Sequence, residues 1–306
     1  MRTTELKSGM EIRLDTARAR PLLFVPMLLR SKTVIAPGWE AWLRQHGLDS
    51  VGGVYRLDSG ESIKRSGSVE VRRVQLGAGS TARTVFIKKY WIGKLSQLWS
   101  GMFRGTFFGR SKARGEYENL ARLRAWQLDA PEPVAYGEER RAGWLLRSFL
   151  ISESVPEPMP LHEFIRDRLP ALPAEARRHT RRALIENLAR YTRRLHERGF
   201  VHHDYFWRNI LLSGGEVSRF FLIDAHKGRP WRPGEEQRGR AADLAALDAP
   251  APRFFRRTER LRFLLLYRGH RRLDAEDKAL LRLALRLAAP MREKQLRRAL
   301  GLGRPK

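Results

Sequence analysis

Three polar side chains in one short stretch of the chain have the types and spacing that phosphoryl transfer requires. Residues 200–229 read FVHHDYFWRNILLSGGEVSRFFLIDAHKGR and include Asp204, Asn209 and Asp224. An acid in a polar loop can accept a hydroxyl proton, and an amide shortly after it can reach a metal ion. A second acid, placed after an apolar hairpin, can hold Mg²⁺ against nucleotide phosphates. The pattern therefore predicts a catalytic loop followed by a metal-binding loop.

Phosphoryl transfer also needs a cation that positions the phosphates and an acid that holds this cation. The run TVFIKKYW supplies Lys88 on a predicted strand, and strand alternation turns Lys89 to the other face. In the helix that follows, Glu116 lies on the apolar face, whereas Glu118 aligns with Arg122 on the outer face. We therefore expect an ion pair between Lys88 and Glu116.

These side chains must be positioned by a sheet and a helix that precede the loop. Residues about 54 to 90 alternate around Gly and Ser turns and predict strands, after a helix near GWEAWLRQHG. The segment SKARGEYENLARLRAW predicts a helix with Ser111 as its N-cap, and PVAYGEERRAGWLLRSFLI predicts a strand pair. The Pro-rich segment ESVPEPMP then marks the boundary between two lobes.

The rest of the chain predicts a mainly helical lobe that carries the catalytic loop. The long segment AEARRHTRRALIENLARYTRRLHERG has helical periodicity and ends at Gly199, a C-terminal stop signal. NILL and FFLID predict two strands joined by a hairpin turn at residues 213–216, and further helices follow. We expect an α+β fold with an N-terminal extension packed on the N-lobe (1–50), a β-rich N-lobe with an insertion at 89–112 (51–152), and a helical C-lobe (153–306).

The order of these features resembles protein-kinase-like enzymes. The spacing H-x-D-x-x-x-x-N, followed by an apolar hairpin and I-D, matches their catalytic and metal-binding loops. Their phosphate-covering glycine motif is missing, because Gly60 and Gly67 do not have the G-x-G-x-x-G spacing; a plain hairpin and a phosphate-covering loop both remain open. His203 replaces the arginine of H-R-D, and Asp-Ala-His at 224–226 replaces D-F-G. We therefore expect a constitutive enzyme without a long activation loop.

Several longer stretches narrow the resemblance. GRSKARGEYENLARL, SFLISESVPEPMPLHEFI, HHDYFWRNILL with FFLIDAHKGR, and AADLAALD with TERLRFLLLYRG together resemble the lipopolysaccharide core kinases, the Kdo and heptose kinase group. The resemblance covers about residues 50 to 270. It implies a two-lobed protein-kinase-like fold and the Mg²⁺-dependent transfer of phosphate from ATP to a core sugar.

The resemblance also implies roles for individual residues. Asp204 would be the catalytic base, and Lys88 would bind phosphate while Glu116 holds it. The remaining nucleotide contacts would be the Mg²⁺ ligands Asn209 and Asp224 and an adenine site near the connector at 149–153, with Phe149 and Ile151.

Three further residues are predicted to support the loop or bind the acceptor. Asp243 resembles the buried acid that braces the catalytic loop in kinase-like folds, although an ordinary surface acid is the alternative, and His202 is assigned to the same support. Arg208 is the candidate for binding the acceptor or the transferred phosphoryl group, because arginine binds phosphates and carboxylates in a bidentate manner. A structural ion pair at Arg208 is an equal alternative.

The composition describes a globular, strongly basic protein. The chain has 306 residues, 42% of them hydrophobic, and a formal net charge of +27, which concentrates anionic partners. It has no cysteine, which excludes disulfides and thiolate metal sites. The segment PLLFVPMLL is about half as long as a membrane span and lacks signal-peptide features, so a cytoplasmic protein is expected.

The insertion at 89–112 mixes aromatic and basic side chains, including Trp99 and Phe103, without an acid. Such a mixture predicts docking on the anionic inner-membrane surface, and an aromatic plug on the N-lobe is the equal alternative. An acidic protein partner also fits a basic surface. No specific nucleic-acid contact is expected, because no nucleic-acid-binding motif is evident.

Two other functions remain open from the sequence. One is a phosphotransferase of the same fold that acts on another small molecule or on a protein hydroxyl. The other is a pseudokinase binding module, favoured by the missing glycine motif and by the Asp-Ala-His sequence. The full set Lys88, Glu116, Asp204, Asn209 and Asp224 argues against the pseudokinase.

Overall fold

A six-stranded antiparallel sheet forms the N-lobe, in the strand order β1-β5-β6-β4-β3-β2. The structure, a computed structural model, describes residues 29–91 and 109–302. The described part of the predicted N-terminal extension supplies the edge strand β1, which pairs with β5. The strands are β1 (Leu29–Ile35), β2 (Glu61–Ser66), β3 (Val69–Leu76), β4 (Arg83–Trp91), β5 (Pro133–Arg141) and β6 (Trp144–Glu153).

Helices cover both faces of this sheet. Helices α1 (Glu40–Gln45) and α2 (Val51–Arg56) enclose one apolar core, and α3 (Lys112–Ala125) packs on the other face. The prediction of a strand from residue 54 is wrong, because α2 occupies that position: Ser50 caps it by accepting a hydrogen bond from the amide of Gly53 at 3.1 Å. The predicted N-cap of α3 is confirmed, since Ser111 Oγ accepts from the amide of Arg114 at 3.0 Å.

The C-lobe is mainly helical, as predicted. Its long helix α4 ends at Glu197, and two residues later Gly199 has a φ of +76°, the left-handed conformation that glycine adopts readily. A three-part helical stretch precedes it (Leu161–Glu163, Phe164–Arg168, Leu169–Ala171). The helices are α4 (Ala174–Glu197), α5 (Glu236–Asp248), α6 (Ala251–Phe254), α7 (Arg257–Arg268), α8 (Ala275–Ala288) and α9 (Arg292–Ala299).

Short strands of the C-lobe flank the catalytic loop. The predicted hairpin is present, but its connection spans residues 214–219 and is longer than a tight turn. Within the described residues, no helix combines the length and apolar composition that crossing a bilayer requires. The strands are β7 (Pro158–Pro160), β8 (Phe200–Val201), β9 (Ile210–Ser213), β10 (Phe220–Leu222) and β11 (Arg229–Pro230).

Candidate active site

Asp204 and Asn209 lie on one short loop between β8 and β9. The Asn209 side chain donates from Nδ2 to the backbone oxygen of Asp204 at 2.8 Å, and its own backbone oxygen accepts from the amide of Ile223 at 3.0 Å. The first bond closes the loop, and the second ties it to the end of β10. Because Nδ2 is occupied, the amide oxygen of Asn209 remains as the group able to bind a cation.

Asp224 follows β10 and meets the predicted lysine and glutamate. Lys88 Nζ lies 2.6 Å from Glu116 Oε1 and 3.6 Å from Asp224 Oδ1. The same Glu116 oxygen accepts from the amide of Asp224 at 3.0 Å. Asp224 has a left-handed backbone with a φ of +59°, a conformation that is uncommon outside glycine and marks a constrained position. The structure therefore brings β4, α3 and the loop after β10 together at one point.

The charges at this point stabilise one another. Burial alone would lower the pKa of Lys88, but the carboxylates of Glu116 and Asp224 outweigh it and raise the pKa above its usual value. Burial would raise the pKa of Asp224, but a hydrogen bond from His226 and the charge of Lys88 hold that pKa far below its usual range. Both groups are therefore charged at neutral pH, as phosphate and metal binding require.

The neighbours of Glu116 on α3 were only partly predicted. Glu118 faces outward as expected, but it pairs with Arg114 at 2.7 Å and Arg110 at 3.0 Å and not with Arg122. Asn119, which was not predicted from the sequence as a site residue, donates from Nδ2 to the backbone oxygens of Ala225 and Gly228 at 2.7 and 2.6 Å. Its position one helical turn after Glu116 places it on the same side of α3, and this spacing could have indicated that it faces the site. Asn119 ties α3 to the segment that follows Asp224.

A fully buried carboxylate holds the backbone of the catalytic loop. Asp243 accepts from the amides of His202 and His203 at 2.7 and 2.9 Å, and it lies 3.3 Å from Nε2 of His196. His196 in turn contacts the hydroxyl of Tyr267 through Nδ1 at 2.8 Å. This geometry supports the predicted bracing role of Asp243. His196, on the long helix α4, was not recognised from the sequence.

His202 lies beneath the loop, where it was predicted to give support. Its side chain is buried, and Nε2 lies 3.2 Å from the backbone oxygen of Ile223. Burial lowers the pKa of His202 despite the opposing charge of Asp243. A neutral imidazole therefore joins the catalytic loop to the segment that leads into Asp224.

Two cations flank the carboxylate of Asp204. Arg208 Nη2 donates to Oδ1 at 3.3 Å, and Lys227 Nζ lies 3.6 Å from Oδ2. Arg208 was a predicted site residue, whereas Lys227 was missed. The position of Lys227 three residues after Asp224, in the short turn Ala225–Lys227, was the sequence feature that could have indicated it. The lysine side chain is 54% exposed and thus accessible to an anion that approaches Asp204.

The structure does not bring the side chains of Phe149 and Ile151 to this site. In the register of β4 with β6, Leu150 lies opposite Lys88, so Phe149 and Ile151 face the other side of the sheet with Ile87. Both are fully buried in the core beneath α1 and α2. Gly137 allows this packing, since a Cβ there would lie 2.3 Å from the Phe149 ring. These two side chains therefore do not line the site, and the adenine site near 149–153 stays a prediction.

The two glycines considered for a phosphate-covering loop lie in different places. Gly67 and Ser68 form a two-residue turn between β2 and β3, whereas Gly60 precedes β2. The structure shows a hairpin at Gly67, and the two roles left open by the sequence, a plain hairpin and a phosphate-covering loop, both stay predictions.

The donor atoms near Asp224 fit a hard divalent cation in part. Oxygens of Glu116 and Asp224 and a ring nitrogen of His226 lie within 4.8 Å of one another, but Lys88 already pairs with Glu116. Magnesium prefers oxygen ligands, so the ionised Asp224 carboxylate and the amide oxygen of Asn209 are the suitable pair. Asn209 and Asp224 as the magnesium ligands stay a prediction, which the chemistry of these two donors supports.

A separate cavity of about 570 Å³ lies within the C-lobe. Apolar side chains of α4, α5, α7 and α8 form most of its wall, and Arg257, Arg260 and Arg292 also line it. None of the predicted site residues lines this cavity.

Comparisons with known proteins agree on one family. The model of the lipopolysaccharide kinase (Kdo/WaaP) family matches residues 61–267. The lipopolysaccharide core heptose(I) kinase WaaP of Pseudomonas aeruginosa is 30% identical over 161 residues, which cover 51% of this chain and 59% of that relative. The chain thus spans about three-fifths of the relative's length.

A solved structure gives the same result for the fold. The structure described as WaaP in complex with acyl carrier protein matches with a TM-score of 0.60 and 25% identity, covering 86% of this chain and 98% of that one. The expected two-lobed kinase-like architecture is confirmed. Because the family model covers most of the described chain, the protein belongs to the lipopolysaccharide kinase (Kdo/WaaP) family, a family of phosphotransferases.

Proposed function

We propose that this protein is an ATP- and Mg²⁺-dependent kinase that phosphorylates a sugar hydroxyl of the lipopolysaccharide inner core, on heptose or Kdo. The observation that carries the proposal is the contact of Lys88 with both Glu116 and Asp224, next to the loop of Asp204 and Asn209. Family membership supports the acceptor class.

In this proposal each group has a defined task. The oxygen of the acceptor hydroxyl attacks the γ-phosphorus of ATP, and Asp204 accepts the proton of that hydroxyl. The bond between the γ-phosphorus and the bridging oxygen breaks, and ADP leaves with its electrons. Lys88, held by Glu116, binds the α- and β-phosphates. Asn209 and Asp224 would hold Mg²⁺, which would neutralise phosphate charge. Catalysis is then mainly positioning and charge compensation.

The cations beside Asp204 favour an anionic acceptor. Arg208 and Lys227 contact opposite oxygens of its carboxylate, so an acceptor hydroxyl that reaches Asp204 passes two positive charges. An acidic or phosphorylated core sugar suits this environment, whereas a cationic acceptor such as an aminoglycoside would be repelled.

The proposal is tested by transfer from labelled ATP to purified core lipopolysaccharide. We expect labelling of the glycan that depends on Mg²⁺ and stops when EDTA is added. If Mg-ATP binds but only another small molecule or a protein is labelled, the acceptor assignment fails. If nucleotide does not bind at all, the pseudokinase interpretation replaces ours.

We also propose that the insertion at 89–112 docks the enzyme on an anionic membrane surface at the cytoplasmic face. Trp99 and Phe103 lie outside the described residues, so the support is their sequence context of aromatic and basic residues. The double change Trp99→Ser and Phe103→Ser is expected to reduce co-sedimentation with anionic liposomes. Unaltered binding would exclude this segment as the docking element.

An acidic carrier protein is a further proposed partner. The solved relative is described in complex with acyl carrier protein, and this chain has a net charge of +27 and an apolar cavity with arginines in its wall. We expect co-elution with purified acyl carrier protein at low salt and its loss at high salt, because screening weakens contacts between exposed charges. Separate elution at low salt would contradict the partnership.

A further inference from the structure

The last helix, α9, packs against the catalytic loop although it lies beyond residues 61–267, which match the family model. Its Ala299 belongs to the same buried apolar cluster as Trp207 of the loop, and Gln295 is 6% exposed. The cavity left between loop and helix measures about 20 Å³, enough for about one water molecule. Helix α9 therefore lies in direct contact with the loop.

The guanidinium of Arg208 is held on three sides at this contact. Nη1 donates to Oε1 of Gln295 at 3.1 Å, and Nη2 donates to Oδ1 of Asp204 at 3.3 Å. The guanidinium carbon also lies 4.3 Å from the centre of the Phe206 ring. Because a guanidinium is a rigid planar fork, bonds to both terminal nitrogens fix its orientation as well as its position.

The partner on the α9 side is uncharged, which matters for anion binding. The carboxylate of Asp204 already pairs with Arg208, and a second carboxylate at this position would compensate its charge further, whereas an amide oxygen orients the guanidinium without adding negative charge. The Arg208 side chain is 31% exposed, so the protein partly shields its guanidinium from water. A partly desolvated cation of this kind attracts an anion more strongly than a solvated one.

We propose that Gln295 is a positioning residue for Arg208, so that α9 forms part of the active site. The inference rests on the proposed function, in which Arg208 binds an anionic oxygen of either the acceptor or the transferred phosphoryl group. Without the Gln295 bond, only Asp204 and Phe206 hold the guanidinium, and its orientation is fixed less closely.

A double-mutant cycle tests the inference with Gln295→Met, Arg208→Lys and the combined variant. ATP hydrolysis and transfer to core lipopolysaccharide are both measured. We expect Gln295→Met to lower kcat about tenfold, the effect of losing a hydrogen bond to a charged group, with an unchanged KM for ATP. In the Arg208→Lys background the same change is expected to have little effect, because an ammonium lacks the planar fork. The exposed Gln237→Met on α5 is the matched control.

Each outcome of the cycle decides between a positioning and a merely structural role. Equal losses in both backgrounds, or no loss in either, overturn the inference. If the Gln295→Met variant does not fold, the same double-mutant cycle is measured with Gln295→Ser, whose smaller side chain leaves room for a water molecule. If the Gln295 change lowers kcat only when Arg208 is present, and does so for both ATP hydrolysis and transfer, Arg208 binds the transferred phosphoryl group. If this loss occurs in transfer alone, Arg208 binds the acceptor. Wild-type hydrolysis without glycan labelling refutes the proposed acceptor, while the hydrolysis cycle still decides the role of Gln295.

Discussion

Replacing Asp204 with asparagine is expected to lower kcat for phosphate transfer by about 10²- to 10⁴-fold, the usual contribution of a general base. Asparagine has nearly the same shape but cannot take up the hydroxyl proton. The backbone oxygen that accepts from Asn209 is unchanged, so the loop should keep its form. Labelled transfer at saturating ATP, on protein of matched folding, measures the effect.

The expected stability of Asp204→Asn separates this effect from unfolding. The ion partners of Asp204 are partly exposed, with Arg208 at 31% and Lys227 at 54% of side-chain exposure, so their loss should cost no more than about 1 kcal/mol. Asp58→Asn, at a side chain that is 90% exposed, serves as the control and should leave kcat unchanged. Transfer by Asp204→Asn at the wild-type rate would remove Asp204 from the mechanism.

The sequence predicts a residue's position best where the period of its own strand or helix decides which face its side chain occupies. Lys88 and Lys89 occupy opposite faces of β4: Lys89 donates to the backbone oxygen of Leu57 at 2.7 Å, while Lys88 reaches Glu116. Glu116 was selected because it shares the apolar face of its helix. Strand and helix periods fix such choices without knowledge of distant parts of the chain.

The residues that were misplaced or missed depend on contacts between distant segments. The register of β6 against β4 decides whether the Phe149 side chain lies on the same face of the sheet as Lys88. A register shift of one residue would move every side chain of the strand to the opposite face. Gln295 and Arg208 are far apart in sequence, and the amphipathic pattern of α9 does not indicate which loop it covers. Asn119 and His196 were missed because each contacts backbone or side chains of a later segment.

Asp243→Ala is expected to destabilise the protein on the order of 3 kcal/mol, the largest stability effect among the site residues. The carboxylate is fully buried and accepts from the amides of His202 and His203. Alanine leaves these donors without their partner, and abandoning a buried donor costs about 1–3 kcal/mol. Asp248→Ala on the same helix is the control: its side chain is 21% exposed and pairs with Arg260, so a loss of about 1 kcal/mol is expected.

Thermal unfolding of both variants, together with hydrogen exchange of the catalytic-loop amides, measures this difference. In Asp243→Ala the amides of His202 and His203 should exchange faster, because the carboxylate that accepts from them is absent. Transfer activity should fall as well, since these residues immediately precede Asp204 and set its position. An Asp243→Ala protein as stable as Asp248→Ala, with unchanged exchange at these two amides, would show that the loop is held by other contacts. The neighbouring bonds of Asn209 to the Asp204 and Ile223 backbone would then be the ones to remove next.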